Sequence, residues 1–191
     1  MEKSPEVVLD FYNKRRKNVE NSVPNDGHKY LAELEKYFDV TIFIQNIDDL
    51  HERAGSTKVF HLHGDIKKAR SWKNEDFIID IGFNDIKIGD VCEIDGEQLR
   101  PYVVFFGEFV NFELEAEMST KEADILIIVE TSLMVYPAAQ FHTLRKSDSP
   151  LYIIDPDEVY RESFIKNPML HIKEPALVGM KQLYNILIEN K

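Results

Sequence analysis

Between residues 44 and 64 the chain sets several reactive groups in a short span. Gln45, Asn46 and Asp48 follow one short apolar run, and His63-Gly64 follows the next. An imidazole can take a proton near neutral pH, so His63 is a candidate general base. The amides of Gln45 and Asn46 and the carboxylate of Asp48 can orient the hydroxyls or amide of a ligand. Gly64 lets the backbone turn sharply or approach a ligand closely. The same residues fit a plainer reading, in which Asn46 or Asp48 caps the next helix and His63 is merely hydrogen-bonded. Spacing alone leaves both readings open.

What must position these groups is a set of strands. Apolar runs at 40–44, 58–62, 102–106, 125–129 and 151–154 are short, continuous and rich in Ile, Val and Phe, as in strands buried on both faces. Amphipathic segments at 112–121 and 138–146 lie between them, and this alternation predicts an α/β fold, a Rossmann-like parallel sheet with helices on both faces. Ligands gather at the carboxyl ends of such strands, which is where Gln45, Asn46, Asp48 and His63 fall.

The first 30-odd residues read as two helices, with Pro5 near the start of one and Pro24-Asn25 as turn and cap of the other. Arg15-Arg16-Lys17 reads as a solvated helix end. A last helix begins near Glu174 with Leu177, Met180, Leu183, Tyr184 and Leu187 inward. Residues 65–100, with Asn84-Asp85, Gly89-Asp90 and Asp95-Gly96, break the rhythm and read as a small inserted module of hairpins and loops. The expected domains are therefore 1–64 with 101–191, and 65–100.

Composition narrows the classes. The 191 residues are 43% hydrophobic and 11% aromatic, enough for a real core and too apolar for a disordered chain. Acidic residues number 34 against 23 basic, a net charge of −11, which excludes a general electrostatic grip on nucleic acid or anionic lipid. No stretch has the roughly 18 consecutive apolar residues of a membrane span, and the start lacks signal-peptide character. One cysteine, Cys92, excludes a disulfide framework and cannot build a thiolate zinc site alone. A cytoplasmic protein is expected.

At these motifs the sequence resembles the sirtuins, NAD-dependent protein lysine deacylases. The resemblance runs along nearly the whole chain, in family order. It includes Pro24-Asn25 with His28, Gln45-Asn46-Ile47-Asp48 with Leu50-His51 and Ala54-Gly55, and Leu62-His63-Gly64. It continues through Leu99-Arg100-Pro101, Val103-Val104, Phe106-Gly107-Glu108, Ala123-Asp124 and Thr131-Ser132-Leu133 with Val135-Tyr136-Pro137-Ala138-Ala139.

The resemblance implies roles. His63 would be the catalytic base that takes a proton from the nicotinamide ribose. Gln45, Asn46, Ile47 and Asp48 would hold the nicotinamide and its ribose. Thr131 and Ser132 would meet the adenine side, Asp155 a ribose hydroxyl, and Ala176 the adenine. Val104, Phe106, Gly107 and Glu108 would receive an acyl-lysine protein or peptide by strand addition.

The sequence also departs from the family pattern. It contains no Gly-Ala-Gly-x-Ser loop, whose backbone N–H groups hold pyrophosphate at a helix N-terminus, nor that loop's strand. Glu130 stands where the family has Gly before Thr-Ser, adding charge where the dinucleotide approaches. The inserted module, which carries two Cys-x-x-Cys zinc pairs in most sirtuins, has only Cys92, and no zinc is expected. Weak NAD binding follows from these changes. Three readings stand together: a deacylase using His63, a sirtuin-like binding or regulatory protein without turnover, and a fragment of a longer active product. Without the central strand, the runs at 40–44 and 125–129 are expected to close on each other, or to pair with a second copy of the chain or another strand-complementing partner.

Overall fold

A computed structural model describes residues 4–158 and 169–189 of the chain. They form two compact units, one of residues 24–43, 51–60, 112–158 and 169–189, the other of residues 4–23, 44–50 and 61–111.

The larger unit carries the parallel sheet. Its strands β6 (Leu126–Val129), β7 (Leu151–Ile154) and β8 (Met169–Ile172) pair in that order, all parallel. Successive side chains of a strand point to opposite faces, and both faces of β6 and β7 are covered. Ile127, Val129, Tyr152 and Ile154 pack with Leu31 and Leu34 of α2 (Asp26–Leu34) and Met180, Leu183 and Leu187 of α6 (Ala176–Glu189). Leu126, Ile128, Leu151 and Ile153 pack on the other side with Leu133 and Ala139, the latter in α5 (Ala138–Phe141). Helix α4 (Glu113–Glu122) packs against α5, and a 3₁₀ turn, His142–Leu144, follows it. The continuous apolar character of 125–129 and 151–154 is thus the expected signature of strands buried on both sides.

Local sequence starts these helices as expected. Asn25 Oδ1 accepts the His28 backbone N–H at 3.3 Å, and the His28 ring accepts the Asn25 N–H in return, a reciprocal cap on α2. Gly179 of α6 is needed for closeness, since a Cβ there would lie 2.5 Å from Cγ2 of Ile154. Strand β8 was not legible as a run, because its four residues include His171 and leave no continuous apolar stretch.

Two short strands, β1 (Ile42–Ile44) and β2 (Val59–His61), form a separate pair. The Ile42 N–H donates to Lys58 O at 2.9 Å and the Leu62 N–H to Ile44 O at 3.0 Å, so both strands advance together, as in a parallel pair. The expectation that 40–44 and 125–129 close on each other is not met, because β1 bonds β2 while β6 bonds β7.

The smaller unit is built differently. β3 (Gly64–Ser71) is the centre of an antiparallel sheet, flanked by β4 (Ile78–Asp80) and β5 (Leu99–Val103). The 102–106 run, read as part of a parallel sheet, instead overlaps the end of this antiparallel β5. An apolar run reports burial and says nothing of strand direction. Leu9 of α1 (Pro5–Asn21) packs with Ala69, Ile86, Cys92 and Leu99, so the inserted residues share a core with the first helix. Arg16 corrects the reading of 15–17 as a solvated helix end. It is fully buried, with Nε donating to Ile66 O at 2.8 Å and Nη1 to Asn13 Oδ1 at 2.7 Å.

Candidate active site

Two backbone bonds bring 44–47 beside 62–66: Leu62 N–H to Ile44 O, and Ile66 N–H to Ile47 O at 2.8 Å. Gln45, Asn46, Ile47, Asp48 and His63 therefore meet at one strand end. The His63 ring is half-buried, and its Nδ1 lies 2.8 Å from Gln45 O. A carbonyl oxygen only accepts, so the proton of a neutral His63 sits on Nδ1 and the lone pair of Nε2 is left for a substrate proton. The backbone of Gln45 thus fixes both the tautomer and the direction of the base.

Asp48 Oδ1 accepts the Leu50 N–H at 3.1 Å, at the start of α3 (Leu50–Ala54). Its capping role is real, and its second oxygen leaves acceptor capacity for a hydroxyl. Asn46 is exposed. Neighbouring Asp49 is buried and bonded to Lys67 Nζ at 3.0 Å. Sequence reasoning passed over that pair, although a buried carboxylate needs a partner.

The glycine after His63 is required by geometry. Gly64 has φ +89°, and a Cβ there would lie 2.1 Å from Tyr102 O. This close approach sets β3 against β5, and Val104 N–H donates to His63 O at 2.9 Å. The segment expected to receive a peptide is therefore bonded directly to the backbone of the candidate base.

Residues 104–109 are held as a tight turn. Arg100, almost fully buried, reaches both oxygens of Glu108 at 2.5 and 2.8 Å, also donates to Val103 O, and lies 4.1 Å from the Phe105 ring centre. Glu108 in turn accepts the Phe105 N–H, while the Glu108 N–H donates to Phe105 O. Burial alone would push the Glu108 carboxyl up, but the Arg100 and Phe105 bonds hold it below the usual range. The turn points Phe106 and Phe109 outward, at 109% and 94% exposure. Arg100 was named only as part of a motif; a charged residue at the edge of an apolar run was the signal that it must be paired.

The remaining expected residues stand in the other unit. Thr131 and Ser132 follow β6, Asp155 follows β7, and Ala176 opens α6. Thr131 Oγ1 accepts the Leu133 N–H at 3.4 Å, and Asp155 Oδ1 accepts the Asp157 N–H at 2.9 Å. Glu130 has φ +44°, a left-handed conformation that favours glycine. Its backbone N–H donates to Ile154 O, and its carboxylate accepts the Ala176 N–H at 2.8 Å. Glu130 therefore caps α6, at the residue expected to admit the adenine. Among the described residues no cluster of three or more His, Cys, Asp or Glu could hold a metal ion.

Comparison with known proteins agrees with this geometry. A Sir2 family model matches residues 1–137. A Helicobacter pylori (strain ATCC 700392 / 26695) protein named NAD-dependent protein deacylase is 44% identical over 187 residues, covering 98% of this chain and 80% of its own length. A protein of the same name from Bacteroides thetaiotaomicron is 40% identical over 192 residues, covering 98% and 81%. The solved structure of a Sir2 homologue bound to NAD superposes with a TM-score of 0.86 at 32% identity, covering 98% of this chain and 74% of that one. A Sir2 complex with a p53 peptide and NAD gives 0.72 at 27% identity, covering 91% and 72%.

Proposed function

The chain belongs to the Sir2 family, and on that premise we propose which of its residues do the work of an NAD-dependent protein lysine deacylase. The observation that carries the reading is the His63 ring held by Gln45 O, with Nε2 turned to basic use. NAD, when bound, supplies a ribose carbon that loses nicotinamide and accepts the acyl oxygen of the substrate lysine. His63 Nε2 would take the proton of a hydroxyl on that ribose. Gln45, Asn46, Ile47 and Asp48 hold the nicotinamide end, with the amide of Asn46 and the spare oxygen of Asp48 as hydrogen-bonding groups. Thr131, Ser132, Asp155 and Ala176 serve the adenosine end.

The acyl-lysine segment lies along Val104, Phe106, Gly107 and Glu108, the turn that Arg100 fixes. Removing a general base costs about 10²–10⁴ in rate. His63→Ala should slow acyl removal from an acyl-lysine peptide in the presence of NAD by that factor while circular dichroism stays unchanged. Full turnover by the variant would refute the role of His63.

A second reading, binding without turnover, is favoured by the Glu130–Ala176 contact, which occupies a donor that the adenosine end would use. On this account the 191-residue polypeptide binds NAD weakly, in a range above micromolar, and calorimetry measures it directly. We further assign the protein to the cytoplasm, in keeping with a single buried thiol and no disulfide. β1 and β6 each bond one strand among the described residues, which supports pairing with a second copy of the chain. Light scattering at rising concentration should show self-association, and a strict monomer would reject it. No role in nucleic-acid or membrane binding is proposed.

A further inference from the structure

The resemblance implies a zinc ion in the module of residues 65–100, and the residues that meet there do not fit one. Ser71-x-x-Asn74 and Cys92-x-x-Asp95 keep the two-residue gap of paired Cys-x-x-Cys ligands, and the fold joins them through a bond from Ser71 Oγ to Asp95 Oδ2 at 2.6 Å. Tetrahedral zinc needs four deprotonated or neutral donors with free lone pairs. The Ser71 hydroxyl has none to spare. Its proton goes to Asp95, and its oxygen accepts the backbone N–H groups of Lys73 and Asn74 at 3.2 and 3.3 Å. That fills its one donor and two acceptor positions.

We propose that this module is closed by an anion in place of a cation: the Asp95 carboxylate gathers hydrogen-bond donors from both halves and makes the module metal-independent. Oδ2 takes the fully buried Ser71 hydroxyl and Oδ1 takes the Glu97 N–H at 3.1 Å, and Cys92 is buried in the same hairpin. The backbone around Asp95 is tied as a hairpin, with Cys92 N–H donating to Glu97 O and Gly96 N–H to Cys92 O, both at 2.8 Å. A carboxylate hub needs protonated partners, whereas a zinc hub needs a thiolate. The Ser71 bond, first among the causes, holds the Asp95 carboxyl below its usual range, as a hub that works as an anion requires. Cys92 also packs against Leu9, Ala69, Ile86 and Leu99, which ties the hub to the core of its unit.

The single tryptophan, Trp72, follows Ser71 in the chain, and its emission reports on this module alone. The test is thermal unfolding of the full chain followed by Trp72 fluorescence, with EDTA, with added zinc, and with neither, alongside metal analysis of the purified protein. We expect no stoichiometric zinc and one midpoint in all three conditions. Asp95→Ala and the milder Asp95→Asn should lower that midpoint by roughly 2–4 °C for each kcal/mol lost. One zinc per chain with a midpoint that falls in EDTA would overturn the proposal. So would an unchanged midpoint in both Asp95 variants.

Discussion

The carboxylate of Glu130 accepts the backbone N–H of Ala176 at 2.8 Å, while Glu130 itself is held at φ +44°. A strained residue of this kind is sustained by what its side chain gains, here the cap of a 14-residue helix. On the proposed placement of the adenosine end, the same contact sets a negative charge beside the dinucleotide.

Replacing Glu130 separates these effects. Glu130→Gly relieves the backbone strain, which costs an L-residue about 1–2 kcal/mol, and removes a cap worth about 0.5–2 kcal/mol. Stability should therefore change little. Affinity for NAD should rise several-fold, as measured by calorimetry. Unchanged affinity would show that Glu130 does not obstruct the adenosine end.

Arg100 and Glu108 should behave as a unit. Arg100 is buried but Glu108 is 28% exposed, so breaking the pair leaves a partly solvated charge, at a cost below the roughly 3–5 kcal/mol of a fully buried pair. Arg100→Met should show that loss in urea denaturation, and Arg100→Met with Glu108→Gln should recover part of it. Because the folded-state carboxyl of Glu108 is depressed, its contribution is present above the unfolded carboxylate pKa. It should fade as pH falls through the lower folded value. The double variant should lose that acid limb.

Gly64→Ala should damage both fold and site. The new methyl would meet Tyr102 O at 2.1 Å, against rigid backbone and at φ +89°. We expect a loss beyond the roughly 1–3 kcal/mol of strain alone and displacement of His63, seen as shifted imidazole resonances by NMR. A spectrum like the parent's would contradict the geometry.

Phe106 and Phe109 should matter for peptide and little for stability. Both are exposed, so Phe106→Ala and Phe109→Ala should leave the unfolding midpoint within a degree or so of the parent. If the acyl-lysine segment lies on this turn, fluorescence anisotropy should show weaker binding of an acyl-lysine peptide by the double variant. Equal binding would move the peptide elsewhere.

The strands of the parallel sheet were legible in the sequence because both faces of β6 and β7 are buried, so every residue from Leu126 to Val129 and from Leu151 to Ile154 had to be apolar. The cap of α2 was legible because Asn25 and His28 interact within one turn. The place of His63 was legible too, as a histidine at a strand end before a glycine. The tautomer of His63 was not, because it depends on a carbonyl 18 residues away in the chain. The fate of Arg16 was hidden in the same way, since its partner Ile66 O lies 50 residues on. Antiparallel β5, the cap from Glu130 to Ala176 and the Ser71–Asp95 bond likewise join distant residues. Periodicity reports which side chains are buried, while strand direction and polar partners are settled only when separate segments meet. Local patterns were enough for the family and for most of the elements, whereas the donor that each acceptor finds was settled only where distant segments meet in the folded chain.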